Sequence, residues 1–187
     1  MKKEQIPIAE DIFLRKATPA DAEPVFRLID EGRSYLREWL PFIDLSQSTS
    51  DTEQYLQSVS SPENESDEVF CIIYLEEVVG LIGLKVIDYI NQKLEIGYWL
   101  GERFQGKGIM RRSCIALVNH IFSDMNMNRI QINVGVGNDR SNNIPKKLGF
   151  LLEGVQREGE FLNETFHDLE VYSLLKKEWK ERGSSRI

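Results

Sequence analysis

The stretch from residue 94 to residue 110, LEIGYWLGERFQGKGIM, joins a strand pattern to the start of a helix pattern through two glycines. Gly106 and Gly108 can turn backbone N–H groups inward because neither carries a Cβ. The helix that follows presents unpaired N–H groups with partial positive charge in its first turn. Such a loop suits a pyrophosphate, although a glycine-rich turn that binds no ligand also fits these two residues alone.

Two common nucleotide-binding motifs do not fit this loop. Gly108 is not followed by the Lys-Ser/Thr pair with which a Walker loop reaches terminal phosphate and magnesium. The glycines do not form GxGxxG, and the preceding strand belongs to a meander rather than to a βαβ unit. The loop therefore indicates a phosphate-bearing ligand outside these two nucleotide folds.

Apolar periodicity predicts the other strands and helices of the chain. Three consecutive strand patterns with short connections indicate an antiparallel meander at 69–75, 78–87 and 93–100. Further strands are predicted at 12–15, at 129–136, from 150 and at 168–175. Helices are predicted at 19–32, between the capping residues 46–51 and the stop at 60–62, at 108–125 and at 141–148.

Composition and charge exclude several classes of protein. The chain has 187 residues, which suits a single domain over 1–187, with a tail from about 177 to 187 predicted to be disordered. The 23 basic and 30 acidic residues give a net charge of −7, which disfavours direct nucleic-acid binding and attracts cationic substrates. No run of about 18 apolar residues and no signal peptide is present, so a cytoplasmic protein without membrane contact is predicted. Cys71 and Cys114 are too few for a disulfide framework or a structural zinc cluster and are interpreted as reduced core thiols, although one bridge between them stays open.

The loop and four other segments resemble a known family. The pattern Gln/Arg-x-x-Gly-x-Gly/Ala of the GNAT (GCN5-related N-acetyltransferase) superfamily is matched by Arg103, Gly106 and Gly108. The resemblance covers nearly the whole chain and is closer to the ribosomal-protein N-terminal (serine/alanine) acetyltransferase subgroup. Its segments are Trp39-Leu40-Pro41, Gly97-Tyr98-Trp99-Leu100, the run 138–143 with 147–150, and Glu153-Gly154.

The resemblance implies a fold and a co-substrate. The fold is α+β (mixed α/β), with a central, mostly antiparallel, splayed sheet of six to seven strands flanked by about four helices. Acetyl-CoA is the implied co-substrate and no metal is required. Strand 96–100 is expected to splay from strand 129–136, so that pantetheine pairs with the exposed edge. The implied donor contacts are Tyr98, Trp99, Leu100, Arg103, Gln105, Gly106, Lys107, Gly108, Ile109, Met110, Asn138 and Asn143.

Acetyl transfer to an amine needs a neutral amine, donors for the carbonyl oxygen and a proton for the leaving thiolate. By resemblance Ser141 is the candidate acid or thiolate stabiliser, although it can instead cap the helix it begins. Glu160, expected between the last two strands, is the candidate general base, and a solvated surface charge is its alternative. Glu95 and Tyr98 are second candidates for the base or for substrate contacts.

Trp39 and Phe42 lie in a segment rich in large apolar residues that can pack in the core or line the acceptor entrance, and with Glu95 they are the candidate acceptor-binding residues. The predicted activity is acetyl transfer to a primary amine, with a protein N-terminus, that of a ribosomal protein, as the favoured acceptor. Alternatives are a small amine such as a polyamine or an amino-group drug, and a non-catalytic acyl-CoA-binding module. A homodimer is implied by the resemblance alone.

Overall fold

The computed structural model describes residues 4–183. The strands are β1 Gln5–Ala9, β2 Ile12–Lys16, β3 Glu68–Tyr74, β4 Glu77–Asp88, β5 Lys93–Leu100, β6 Arg129–Gly135, β7 Leu151–Leu162 and β8 Thr165–Leu175. The helices are α1 Ala22–Glu31, α2 Arg33–Arg37, α3 Thr49–Ser60, α4 Ile109–Ser123, α5 Asp139–Leu148 and α6 Lys176–Arg182. Single 3₁₀ turns precede α1, at Pro19–Asp21, and the glycine loop, at Glu102–Phe104.

All eight strands form one sheet in the order β1-β2-β3-β4-β5-β6-β8-β7. Every neighbouring pair is antiparallel except β5 and β6, which run parallel. The predicted α+β class and the mostly antiparallel sheet are therefore confirmed. The described residues contain eight strands and six helices, more than the six to seven strands and about four helices expected. The additions are short or terminal elements, namely β1, α2 and α6, whose sequence signals are weak.

Helices cover both faces of the sheet. Strand β3 is buried along nearly its whole length, as expected for a strand with helices on each side. Along β5, Gly97, Tyr98 and Trp99 line a cavity together with Val25 of α1, and Tyr98 also lies near Cys114 of α4.

The parallel pair β5 and β6 separates after a short contact. The two strands pair only at Lys93 with Arg129, Leu94 with Ile130 and Glu95 with Gln131. Beyond Glu95 neither strand pairs with the other within the described chain, so one edge of residues 96–100 faces a gap. The splay expected from the resemblance is confirmed.

The last strands and the tail differ from the prediction. Glu160 lies within β7, which extends to Leu162, rather than in a connection between two shorter strands. The prediction of a disordered tail from about residue 177 is wrong for its first part. Helix α6 extends to Arg182, and Trp179 of this helix is only 5% exposed. The indole Nε1 of Trp179 donates to Oδ1 of Asn119 at 2.8 Å, which ties α6 to α4. Residues 184–187 of the predicted tail lie outside the described residues.

Two further expectations concern thiols and membranes. Cys71 and Cys114 are buried and free, as predicted. Burial raises the pKa of both thiols, so neither is suited to act as a nucleophile near neutral pH. Within residues 4–183, no helix combines the length and the apolar character that crossing a membrane requires.

Candidate active site

The glycine loop connects the splayed strand β5 to helix α4. Gly106 and Gly108 adopt left-handed φ values of 72° and 71°, and a Cβ placed on either glycine would meet nothing within 4 Å. Gly108 is the residue before the first turn of α4, and that turn contains no acidic side chain. The loop backbone therefore borders open space beside the positive end of a 15-residue helix. This geometry fits the pyrophosphate of acetyl-CoA.

The side chains around the loop differ in how free they are to contact the donor. The Lys107 ammonium lies 5.4 Å from the centre of the Phe104 ring, at the mouth of the loop. The Arg103 guanidinium stacks on the same ring at 4.7 Å and pairs with the carboxylate of Glu77. Since Arg103 already has a carboxylate partner, its side chain is less available to the donor than that of Lys107. Ile109 and Met110 are buried, so their contribution to a donor site is through backbone N–H groups.

A second contact joins the loop to helix α5 across the gap. The Oε1 atom of Gln105 accepts a hydrogen bond from Arg140 Nη1 at 2.8 Å. Asn143, a predicted donor contact, is exposed on the surface of α5. Its neighbour Asn142 is buried and accepts from the Tyr172 hydroxyl at 2.8 Å. Asn142 therefore holds α5 against the sheet, and the role of Asn143 stays a prediction.

Tyr98 and Ser141 meet where β5 and β6 separate. The Tyr98 hydroxyl donates to the backbone oxygen of Ser141 at 3.1 Å, and Ser141 Oγ donates to the Tyr98 hydroxyl oxygen at 3.3 Å. The cap of α5 is Asn138, whose Oδ1 accepts from the Ser141 N–H at 3.1 Å. Ser141 Oγ is therefore not the capping group. Burial raises the pKa of Tyr98, which keeps the phenol protonated and able to donate.

A cavity of about 730 Å³ extends from this point between the sheet and helices α1 and α3. Eight of the predicted site residues line it: Trp39, Phe42, Glu95, Tyr98, Trp99, Asn138, Ser141 and Glu160. Leu100, Asn143 and the loop residues from Arg103 to Met110 do not. The structure thus brings the candidate catalytic and acceptor residues together in one cavity and leaves the phosphate loop outside its lining.

Trp39 lies over the end of β6. A Cβ placed on Gly135 would lie 3.3 Å from ring atoms Cε3 and Cζ3 of Trp39. A Cβ at this distance would be tighter than an ordinary van der Waals contact, so glycine favours the close approach of the indole to the strand. Phe42, in the same segment, is half-buried and packs against the core. The segment both packs and lines the cavity.

Glu95 and Glu160 form the polar part of the cavity. Glu95 Oε2 accepts from Asn133 Nδ2 at 2.9 Å, and Glu95 Oε1 lies 3.6 Å from Lys85 Nζ. Burial raises the pKa of Glu160, the charge of Glu95 raises it further, and Lys85 and His167 oppose the rise. A carboxyl group with a raised pKa is a better proton acceptor near neutral pH than an ordinary one.

Lys85 and Asn133 are site residues that the sequence analysis missed. Lys85 is the cross-strand partner of Glu95 in the register of β4 and β5, and Asn133 faces Glu95 across the splay. Lys85 is the one charged residue of the predicted strand 78–87, and that isolated charge could have marked it. No group of three or more His, Cys, Asp or Glu residues suited to a metal ion occurs in the described part of the chain.

Comparison with known proteins agrees with this geometry. Residues 11–151 match the model of the acetyltransferase (GNAT) domain. YdaF of Bacillus subtilis (strain 168), which carries the provisional name ribosomal N-acetyltransferase, is 36% identical over 92% of this chain and 96% of its own. The ribosomal-protein-serine acetyltransferase of Escherichia coli (strain K12) is 31% identical over 91% of this chain and 96% of its own.

A solved structure of RimL, a ribosomal L7/L12 alpha-N-protein acetyltransferase in complex with coenzyme A, superposes with a TM-score of 0.88 at 29% identity. The superposition covers 92% of this chain and 98% of RimL. The splayed sheet, the glycine loop and the family match agree with one another. The chain belongs to the GNAT acetyltransferase family and is an N-acetyltransferase that uses acetyl-CoA.

Proposed function

We propose that the protein transfers the acetyl group of acetyl-CoA to the N-terminal α-amino group of a ribosomal protein, by direct attack in a ternary complex. The observation that carries this proposal is the single cavity lined by Ser141 and Tyr98 together with Glu95 and Glu160. The names of the relatives support the choice of a ribosomal protein as acceptor.

On the donor side, backbone N–H groups of residues 105–108 and the first turn of α4 hold the pyrophosphate, and the free edge of residues 96–100 pairs with the pantetheine arm. Acetyl-CoA supplies the thioester carbon that the amine attacks. Ser141 Oγ, beside Tyr98, donates a proton to the sulfur as the carbon–sulfur bond breaks, and it regains a proton from the nitrogen, which loses its second proton to become the amide. The cap of Asn138 on α5 keeps Ser141 at this position.

On the acceptor side, the amine arrives as an ammonium ion and must lose a proton before it attacks. Glu160 accepts that proton, directly or through one water molecule, because burial raises its pKa towards neutrality. Trp39 and Phe42 line the entrance and provide an apolar wall for an extended chain. The net charge of −7 favours the approach of a basic protein such as those of the ribosome.

The test is acetylation of ribosomal proteins with isotopically labelled acetyl-CoA, followed by intact-mass analysis and mapping of the N-terminal peptides. The native chain and the Ser141→Ala variant are compared on the same protein fraction and on a panel of small amines. We expect label on the α-amino group of one or a few ribosomal proteins, with strongly reduced incorporation by the variant. Labelled small amines with an unlabelled protein fraction would sink the proposal.

Three wider proposals accompany this function. The core formed from residues between Ile6 and Trp179 supports one acyltransferase domain over residues 1–187. A ribosomal-protein acceptor supports a cytoplasmic location for the enzyme. The exposed apolar residues Leu151, Leu152 and Val155 on edge strand β7 support a homodimer, which light scattering coupled to size-exclusion chromatography would detect as twice the mass of 21.6 kDa. A mass of one chain at micromolar concentration would reject the dimer.

A further inference from the structure

Lys85 occupies an unusual position beside the acceptor carboxylates. It lies on β4 opposite Glu95 of β5, and its side chain crosses β5 directly over Gly97. A Cβ placed on Gly97 would lie 2.4 Å from Lys85 Cε and 2.9 Å from Lys85 Nζ. The absence of a side chain at Gly97 is therefore what allows the lysine to lie flat on the strand. Lys85, Gly97 and Glu95 all line the cavity that contains Ser141.

The carboxylate that Lys85 meets is fixed from its other side. Arg129 Nη2 donates to Gln131 Oε1 at 3.1 Å, and Gln131 Nε2 donates to Asn133 Oδ1 at 3.0 Å. This sequence of donors orients the Asn133 amide so that its Nδ2 donates to Glu95 Oε2 at 2.9 Å. Glu95 Oε1 is left facing Lys85 Nζ at 3.6 Å. Both oxygens of Glu95 therefore face donors of the chain itself.

Three titratable groups act on the second carboxylate, that of Glu160. Glu160 of β7 is influenced by Lys85 of β4, by Glu95 of β5 and by His167 of β8. When both carboxylates are ionised, Lys85 compensates one of the two negative charges. One negative charge remains to attract an incoming ammonium ion. A second ammonium group near the reacting nitrogen is repelled by the positive charge of Lys85.

The remaining acids of the cavity have local partners. Asp51 accepts from the N–H groups of Gln47 and Ser48 at the start of α3. Asp67 accepts from the N–H of Val86 at 3.3 Å. Neither carboxylate is among the groups that act on the pKa of Glu160, which are Lys85, His167 and Glu95.

We propose that Lys85 is a specificity-determining residue, which neutralises Glu95 and so restricts the acceptor site to amines with a single positive charge near the reacting nitrogen. The α-amino group of a protein satisfies this restriction, whereas a polyamine, with a second ammonium group three or four carbons away, does not. This inference rests on the proposed function and deepens it. The choice between the two acceptor classes then depends on the ion pair of Lys85 and Glu95, which the missing side chain at Gly97 makes possible.

The test compares two acceptors in three proteins. Release of the coenzyme A thiol gives kcat/KM for two acceptors, a peptide with the N-terminal sequence of a ribosomal protein and spermidine. The three proteins are the native chain, Lys85→Met and Lys85→Arg. Methionine keeps the apolar stem and removes the charge, whereas arginine keeps the charge. We expect the ratio of spermidine to peptide kcat/KM to rise about tenfold in Lys85→Met, because a like charge beside the site has been removed. The rise should shrink with added salt, and Lys85→Arg should resemble the native chain.

Gly97→Ala provides a second variant that retains the lysine. The new methyl group occupies the path of Lys85 and displaces the ammonium from Glu95. Effects on donor binding are common to both acceptors and cancel in the ratio, which should rise as in Lys85→Met. An unchanged ratio in the two variants, or an equal rise in Lys85→Arg, would overturn the role of Lys85.

The outcomes separate this inference from the function on which it rests. Native protein that acetylates the peptide, together with variants of unchanged ratio, rejects the role of Lys85 and leaves the proposed function standing. Native protein that acetylates spermidine but none of the ribosomal N-terminal peptides rejects the proposed function itself.

Discussion

Replacing Ser141 by alanine separates the chemical role of its hydroxyl group from any structural role. The hydroxyl makes one hydrogen bond of 3.3 Å, to Tyr98, while the cap of α5 is supplied by Asn138. Losing that bond costs about 0.5–1.5 kcal/mol of stability. Losing a donor that acts on charge developing in the transition state costs about 10²–10³ in kcat, or about 2.7–4 kcal/mol of activation free energy. The catalytic loss should therefore exceed the loss of stability.

Two measurements on the same preparation test this prediction. Thiol release at saturating acetyl-CoA gives kcat, and urea unfolding gives the free energy of unfolding. Asn138→Ala gives the stability cost of losing the cap alone, about 1 kcal/mol, and it is compared for stability only, because Asn138 also positions Ser141. Ser141→Ala with nearly native kcat, or with a kcat loss no larger than its loss of stability predicts, would refute the assignment of Ser141 as the proton donor.

Three other changes have defined outcomes. Because burial raises the pKa of Glu160, kcat/KM should fall as pH drops through that raised pKa, and Glu160→Gln should lower kcat about 10²-fold and abolish this limb of the pH profile. Gly108→Ala forces a side chain into the left-handed region at a cost of about 1–2 kcal/mol and should raise the KM for acetyl-CoA, whereas Gly183→Ala, at a φ of 67°, should leave that KM unchanged. Trp179→Ala should destabilise the protein by about 3–5 kcal/mol in urea unfolding, since the indole is buried and bonded to Asn119.

Each of these expectations has a contradicting result. A pH profile that keeps its acidic limb in Glu160→Gln would assign the proton to another group, with Glu95 the first alternative. Equal effects of Gly108→Ala and Gly183→Ala on KM would show that the glycine loop does not hold the donor. Native stability in Trp179→Ala would mean that α6 contributes nothing to the core.

The parts of the fold that the sequence predicted are those with local signals. Helix α4 has its apolar stripe and its two glycines within one continuous stretch, so its start at Ile109 followed from residues next to one another. The meander β3 to β5 followed from strand patterns joined by short connections. The placement of Ser141 beside the splay came from a motif of neighbouring residues, 138–143, combined with the resemblance.

The features that the prediction missed depend on contacts between distant residues. Strand β7 carries exposed polar residues through most of its length, so Glu160 looked like part of a loop, and only pairing with β8 makes it a strand. Helix α6 has one large apolar residue, Trp179, and is fixed by Asn119, which lies sixty residues earlier. Lys85 became visible only through the register of β4 on β5 and the missing Cβ of Gly97. A pattern of residue types does not contain the register that brings such groups together.

The interrupted pairing of β5 and β6 also bears on how long the protein survives. Within the described residues, the two blocks of sheet, β1 to β5 and β6 to β8, are joined by three residue pairs of β5 and β6 and by two backbone hydrogen bonds to the oxygen of Gln92. A donor held between these blocks binds the native state alone, and by mass action it adds about 2.7 kcal/mol of stability at a concentration 100 times its dissociation constant. Resistance to proteolysis should then rise and fall with the supply of acetyl-CoA. The gap that admits the co-substrate thus links the lifetime of the enzyme to the concentration of acetyl-CoA.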